Sequence, residues 1–320
     1  MRPQPPIEGS KERKAKRRSI GDRVFSGFTG FFTIFMGAIL LALLIVLAIQ
    51  AWPSIHKFGT SFFTTSTWDP VKEIFGAMPA VFGTIASSLL ALILAVPISL
   101  GTAIFLSELA PRWIRGPGSF IIEMLAAIPS VIIGLWGIFV MVPFLRPIET
   151  WLGDHFGFLP IFKGITYGGF NILAASLLLA IMIIPIITAV SRDAIRAVPV
   201  TQKESMLALG ATRWETLSRV VLPYCRSGLI GGIILGLGRA MGETMAVTMV
   251  IGNADHIGWS MFSSGTTIAS KIASQFGEAS GIALGSLIEL ALILLAVSLL
   301  VNVVARLLVW RLTKVKAVGI

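Results

Sequence analysis

Charge is scarce in this chain: Asp, Glu, Lys and Arg make up 13% of its 320 residues, about half of the roughly 25% usual in soluble domains. The shortage is local. Apolar runs of about 20 or more residues, the length a bilayer core demands, alternate with short segments that hold nearly all the charge. Cysteine is nearly absent, and the single Cys225 excludes an internal disulfide framework and a Cys-based zinc site. His56, His155 and His256 stand apart, without the spacing of metal ligands. No Gly-Lys dipeptide occurs, which excludes the G-x-x-x-x-G-K-S/T phosphate loop. The glycines from Gly236 to Gly242 are spaced one residue too widely for a dinucleotide fingerprint, and they follow no strand. No Ser/His/Asp, metal or paired-carboxylate constellation points to an enzyme.

What the chain has instead is apolar length. Hydrophobic residues make up 55% of it, and the mean hydropathy is +0.86. Six spans are predicted, at about 24–50, 80–106, 119–145, 169–190, 228–251 and 282–308. The fold class is therefore all-α: a polytopic membrane protein with six transmembrane helices. The first run is longer than the h-region of a signal peptide, about 7–15 residues, and is read as a retained helix. Pro97, Pro129 and Pro185 are expected to kink the helices that contain them. With the N-terminus inside, basic residues favour that side by about four to one, so both termini are expected in the cytoplasm. The chain then divides into a basic, disordered tail over 1–20, a permease domain over 21–312 and a C-terminal tail over 313–320.

The loop between spans four and five, residues 191–227, carries more signal than a connector needs. Thr201 and Glu204 have the T-x-x-E spacing of a capping box, and Thr212 and Glu215 repeat it. Gly210 stands between them, where a helix C-terminus favours glycine, and Pro223 is expected to end the second helical stretch. Glu204, Gly210, Leu222 and Pro223 match the EAA-x3-G-x9-I-x-L-P loop in type and spacing, with Ser205, Met206 and Val220 as departures. The loop thus resembles that of bacterial ATP-binding-cassette importer permeases. The resemblance implies a coupling helix that docks on a separate cytoplasmic ATPase.

Span five carries Arg239 and Glu243, and charges inside a membrane tend to be functional. Gly228, Gly232 and Gly236 recur every four residues, a pattern that lets helices approach closely. At 100° per residue, Arg239 and Glu243 fall about 20° and 60° from Gly228, on the glycine face and close enough to touch. Either the two charges neutralise each other to hold the fold, or Arg239 attracts an anion while Glu243 orients it. A guanidinium suits phosphate through paired donors. A carboxylate acceptor favours a protonated oxyanion over sulfate. Glu289 in span six either pairs with Arg239, lines the path or is a satisfied structural carboxylate. Glu123 is expected near the start of span three, where a helix N-terminus suits negative charge. Trp52, Trp113, Trp151, Trp259 and Trp310 read as interface anchors, and loops 51–79, 146–168 and 252–281 as part of a docking face for a binding protein.

The segment from Gly236 to Val247, together with stretches near Thr84 and Pro129, is similar to phosphate-specific transport permeases of the PstC type over roughly residues 20–312. That resemblance implies inorganic phosphate import by alternating access and a bacterial inner-membrane location. It implies a PstA-type second permease, two PstB-type ATPase subunits that bind ATP and Mg, and a PstS-type phosphate-binding protein. No cofactor is expected on this chain. Sulfate or molybdate is the alternative cargo, and an ion-coupled secondary transporter the rival class, although it would usually show internal repeats and more spans.

Overall fold

In a bilayer no water satisfies the backbone, so every N–H and C=O must find its partner within the segment, and apolar runs fold as helices. The computed structural model describes residues 20–164 and 168–314. The basic tail up to residue 19, the residues after 314 and the side chain of Trp310 lie outside that description. The first half of the chain holds α1 (Ile20–Phe58), a short α2 (Ser61–Thr64), α3 (Met78–Ile104), α4 (Arg112–Ala126), α5 (Ser130–Trp136) and α6 (Val142–Phe156). Then follow α7 (Ile172–Arg196), α8 (Val200–Ala208), α9 (Arg213–Thr216), α10 (Leu222–Gly242), α11 (Met245–Val250), α12 (Ile268–Gln275) and α13 (Gly281–Lys314). Among the described residues, six helical stretches are long and apolar enough to cross a membrane: Val24–Phe58, Met78–Leu109, Ser130–Phe156, Ile172–Arg196, Arg213–Gly242 and Gly281–Leu307.

The chain falls into two compact units, residues 1–46 and residues 47–320. Within the first, Phe28, Phe31, Phe32 and Phe35 make ring contacts along α1. The second is organised around α7. Leu178, Ile183 and Ile187 of α7 are fully buried, against Ala91 and Ala95 of α3 and Ala246, Val247 and Val250 of α11. Lipid is as apolar as these side chains, so close van der Waals packing rather than hydrophobic burial holds membrane helices together. α3 supplies it with a buried stripe of small residues every four positions, Ser87, Ala91, Ala95, Ser99 and Ala103. α10 does the same toward α7. Gly228 lies against Ala194, Gly232 against Val190 and Gly236 against Ile187, where added methyl groups would collide or crowd.

Proline shaped the spans differently from expectation at two of the positions considered. Pro97 and Pro185 lie inside α3 and α7. Pro129 does not kink a continuous helix over 119–145. It separates α4 from α5, with an extended backbone (φ −59°, ψ 136°) at the start of α5. The spanning stretch therefore begins at Ser130, and α4 is an amphipathic helix with no fully buried side chain. Pro223 does not end the second helical stretch. The chain stays helical from Arg213 to Gly242 because a wide π turn over Leu217–Val221 precedes it. A proline lacks the N–H for the i−4 carbonyl and clashes with it. Wide turns over Phe105–Leu109 and Gly137–Met141 likewise end two residues before Pro111 and Pro143.

Candidate substrate path and coupling surface

The charges of span five are not arranged as a helical pair. α10 ends at Gly242, and Glu243 is extended (φ −70°, ψ 127°) before the short α11 begins. The prediction of an uninterrupted helix over 228–251 is corrected accordingly. Glu243 is buried, and its Oε1 accepts a 3.4 Å hydrogen bond from the N–H of Ala246. Thr244 donates its hydroxyl to the carbonyl of Gly242 at 3.2 Å across the same break. Two residues at the break thus engage nearby backbone in place of helix continuation, the competition that polar side chains offer. Gly242 followed by an acidic residue and Thr244 is the sequence signal for this break.

Arg239 is exposed, and among the described residues it has no hydrogen-bond or ion-pair partner, Glu243 and Glu289 included. Helical projection placed it on the glycine face. The buried stripe instead runs Cys225, Leu229, Gly232, Gly236, Ala240. Rows of i, i+4 residues are inclined to the helix axis, so the contact with α7 passes Arg239 by and continues through Ala240. A charged side chain presented to lipid at a helix centre costs about 3 kcal/mol. The position of Arg239 therefore calls for water or a polar partner surface.

Glu289 lies elsewhere. It is buried in α13, where its Oε2 accepts a 2.6 Å hydrogen bond from the hydroxyl of Ser54 in α1. Ser54 and Ser286 share a further hydroxyl contact at 3.0 Å. Arg239, Glu243 and Glu289 are thus three separate sites within the chain.

The loop after α7 contains two short helices joined by a glycine turn, as its spacing predicted. The first capping box is not made. α8 begins after Pro199 with no side-chain cap, and Thr201 lies inside the helix, its carbonyl accepting from Ser205 at 2.8 Å. Pro199, extended at φ −57° and ψ 133°, takes the N-cap position two residues before Thr201. The second box is complete. Thr212 Oγ1 accepts from the N–H of Glu215 at 3.2 Å, and Glu215 Oε2 accepts from the N–H of Thr212 at 2.9 Å. Gly210 has φ +83°, the left-handed conformation that ends α8. Glu204 is exposed, as are Leu209 and Trp214, while Leu222 packs on the cluster of Ile195, Val198, Leu217 and Val221. Thr212→Ala is expected to cost about 1 kcal/mol in α9. Hydrogen exchange over Arg213–Val221 should quicken by about fivefold, and unchanged exchange would show that the cap carries no weight.

Several polar residues matter that the sequence reading missed or misplaced. Glu123 is in the last turn of α4, not at a helix start, and it pairs with Arg192 of α7 at 3.1 Å. Glu149, expected in an outside loop, is fully buried in α6 and accepts from Asn171 at 2.9 Å, while Asn171 caps α7. Its signal was the spacing from Val142 and Leu145, which places it on the packed face of an extended helix. Lys271 of α12 is buried beside Asp255 at 2.5 Å and faces the ring of Trp68. Burial pushes its ammonium pKa down, and Asp255 opposes the shift.

Similarity to known proteins agrees with this anatomy. Residues 95–314 match the family described as "Binding-protein-dependent transport system inner membrane component". The chain is 50% identical over 295 residues to "Phosphate transport system permease protein PstC" of Pasteurella multocida (strain Pm70), covering 91% of this chain and 92% of the relative. It is 45% identical over 312 residues to the protein of that name from Haemophilus influenzae (strain ATCC 51907 / DSM 11121 / KW20 / Rd), covering 96% and 99%. In fold it is similar to a chain of the inward-facing MetNI methionine ABC transporter, with a TM-score of 0.55 at 20% identity, covering 77% of this chain and 99% of the other. A chain of a bacterial ABC transporter for alginate import gives a TM-score of 0.55 at 17% identity, covering 90% and 99%. The helices are those of a type I importer permease. On these matches the chain belongs to the binding-protein-dependent transport inner membrane component family, among its phosphate transport system permeases.

Proposed function

We propose that this chain is the membrane-spanning permease subunit of an ATP-driven importer that brings inorganic phosphate into the cytoplasm. The observation that carries the reading is half-identity to a named phosphate permease over nine-tenths of both chains. The anatomy supports it. Six spans supply the pathway wall, and the segment around Gly210 and Thr212 presents an exposed, partly apolar surface to a cytoplasmic ATPase. In this reading both termini are cytoplasmic, and the working complex contains a PstA-type permease, two PstB-type ATPase subunits and a PstS-type phosphate-binding protein. ATP and Mg belong to the PstB-type subunits.

Transport then proceeds by alternating access. A phosphate released from the binding protein meets Arg239, whose unpaired guanidinium offers planar donors to two phosphate oxygens. Glu243 does not orient that guanidinium. It holds the backbone break behind it, so α10 can end beside the path while α11 packs on the core. Glu289 closes the contact between α13 and Ser54. Nucleotide binding in the ATPase moves the exposed face of α8, and the helix bundle rocks between outward and inward openings.

The test is ATP-dependent uptake of labelled phosphate by proteoliposomes that hold the full complex, with excess sulfate as competitor. Uptake that ignores sulfate supports the reading. Competition by sulfate would transfer it to the broader class of oxyanions, and uptake without the ATPase subunits would remove it.

A further inference from the structure

α8 has two faces with different roles. Along it, Val200 and Glu204 are exposed, one helical turn apart, while Lys203 and Met206 are the residues turned toward the chain's own body. Lys203 Nζ meets Glu108 Oε1 at 2.5 Å, and both side chains are mostly covered, at 19% and 25% exposure. α8 makes no other ion pair among the described residues. Glu108 sits in the wide turn over Phe105–Leu109 that closes the inner end of α3.

What surrounds this pair gives it its significance. A cleft of about 700 Å³ opens between α3 and the coupling segment, lined by Ile104, Leu109, Leu207, Trp214 and Leu217 as well as the pair itself. Apolar packing therefore does not join α8 tightly to α3, and a push on α8 would be absorbed by the gap. The ion pair crosses it. A partly covered pair is less screened by water than a surface one, so it resists separation where a surface pair would yield. α3 in turn is a stiff element. Its small-residue stripe packs along α7, and at its outer end Gly83 abuts the backbone of Thr266.

We infer that the Lys203–Glu108 ion pair is the positioning contact that transmits movement of the coupling helix into α3, and so to the outer end of the pathway. The inference rests on the permease reading above, and it names the residues through which the ATPase is heard inside the membrane. Neither residue touches phosphate or nucleotide. The pair sets how much transport each hydrolysis event produces.

The experiment measures phosphate uptake and ATP hydrolysis together in proteoliposomes of the full complex. Glu108→Lys reverses the charge, and Glu108→Gln removes it at constant size. Both are expected to retain the ATPase subunits on purification and to keep hydrolysing ATP. Uptake per ATP hydrolysed should fall by about tenfold, within the range of ordinary coupling free energies. The exchange Lys203→Glu with Glu108→Lys restores the pair in reverse and should return the ratio to within about twofold of wild type. An unchanged ratio in Glu108→Gln, or an exchange that recovers nothing, would overturn the inference. If Glu108→Lys fails to accumulate, Glu108→Gln alone decides. A wild-type complex without ATP-driven phosphate uptake would instead remove the permease reading, and the inference with it.

Discussion

Arg239→Gln should lower ATP-driven phosphate uptake by about a hundredfold while protein levels and ATPase assembly hold. The side chain is exposed and, among the described residues, makes no hydrogen bond or ion pair, so its removal leaves no buried partner there unsatisfied. What is lost is charge-assisted hydrogen bonding to the passing anion, worth roughly 1.5–3 kcal/mol, which at its upper end corresponds to about a hundredfold. Arg239→Lys keeps the charge but loses the planar pair of donors and should fall between the two. Full activity in Arg239→Gln would return this residue to a structural role, for example against a second permease subunit. A variant that disappears from the membrane would point the same way.

Gly83→Ala is expected to destabilise the protein by about 3 kcal/mol, the upper end of overpacking costs, and to lower the Tm in detergent by several degrees. A Cβ at Gly83 would stand 2.0 Å from the carbonyl oxygen of Thr266. That oxygen belongs to the backbone and cannot rotate away. The contact sits beside two others that fix the same junction. Thr84 Oγ1 accepts from the N–H of Ile268 at 2.9 Å, and Thr267 caps α12 with Ser270. Relief would have to separate α3 from α12. Gly101→Ala is the matched control, because a Cβ there meets nothing within 4 Å. It should be neutral or slightly stabilising, since alanine suits a helix better than glycine by about 1 kcal/mol. Equal melting of the two variants would show that the α3–α12 junction is soft.

Local chemistry made much of this protein legible. Six apolar runs meet the length and backbone requirements of a bilayer without reference to one another, so the spans could be read one at a time. Gly210 and the Thr212–Glu215 box were readable for the same reason, since the turn and the cap form within a few residues. Arg239 stood out because charge inside an apolar run is conspicuous whatever surrounds it. The reading faltered where two local rules competed. At Pro129 a kink and a break are both compatible with the residue, and at Glu243 helical spacing hid a residue that turns back to its own backbone.

The sequence by itself determined which segments enter the membrane, where the Gly210 turn lies and which charges need explaining, because each depends on composition and spacing within a few residues. Only the tertiary structure decided what those charges meet. Glu289 binds Ser54 across 235 residues, Lys203 reaches Glu108 across 95, and Arg192 reaches Glu123 across 69. Helical periodicity fixes the face on which a side chain emerges, but the inclined packing of α10 on α7 decides that Ala240 is covered and Arg239 is not. That choice belongs to the neighbouring helix, and no pattern within α10 contains it.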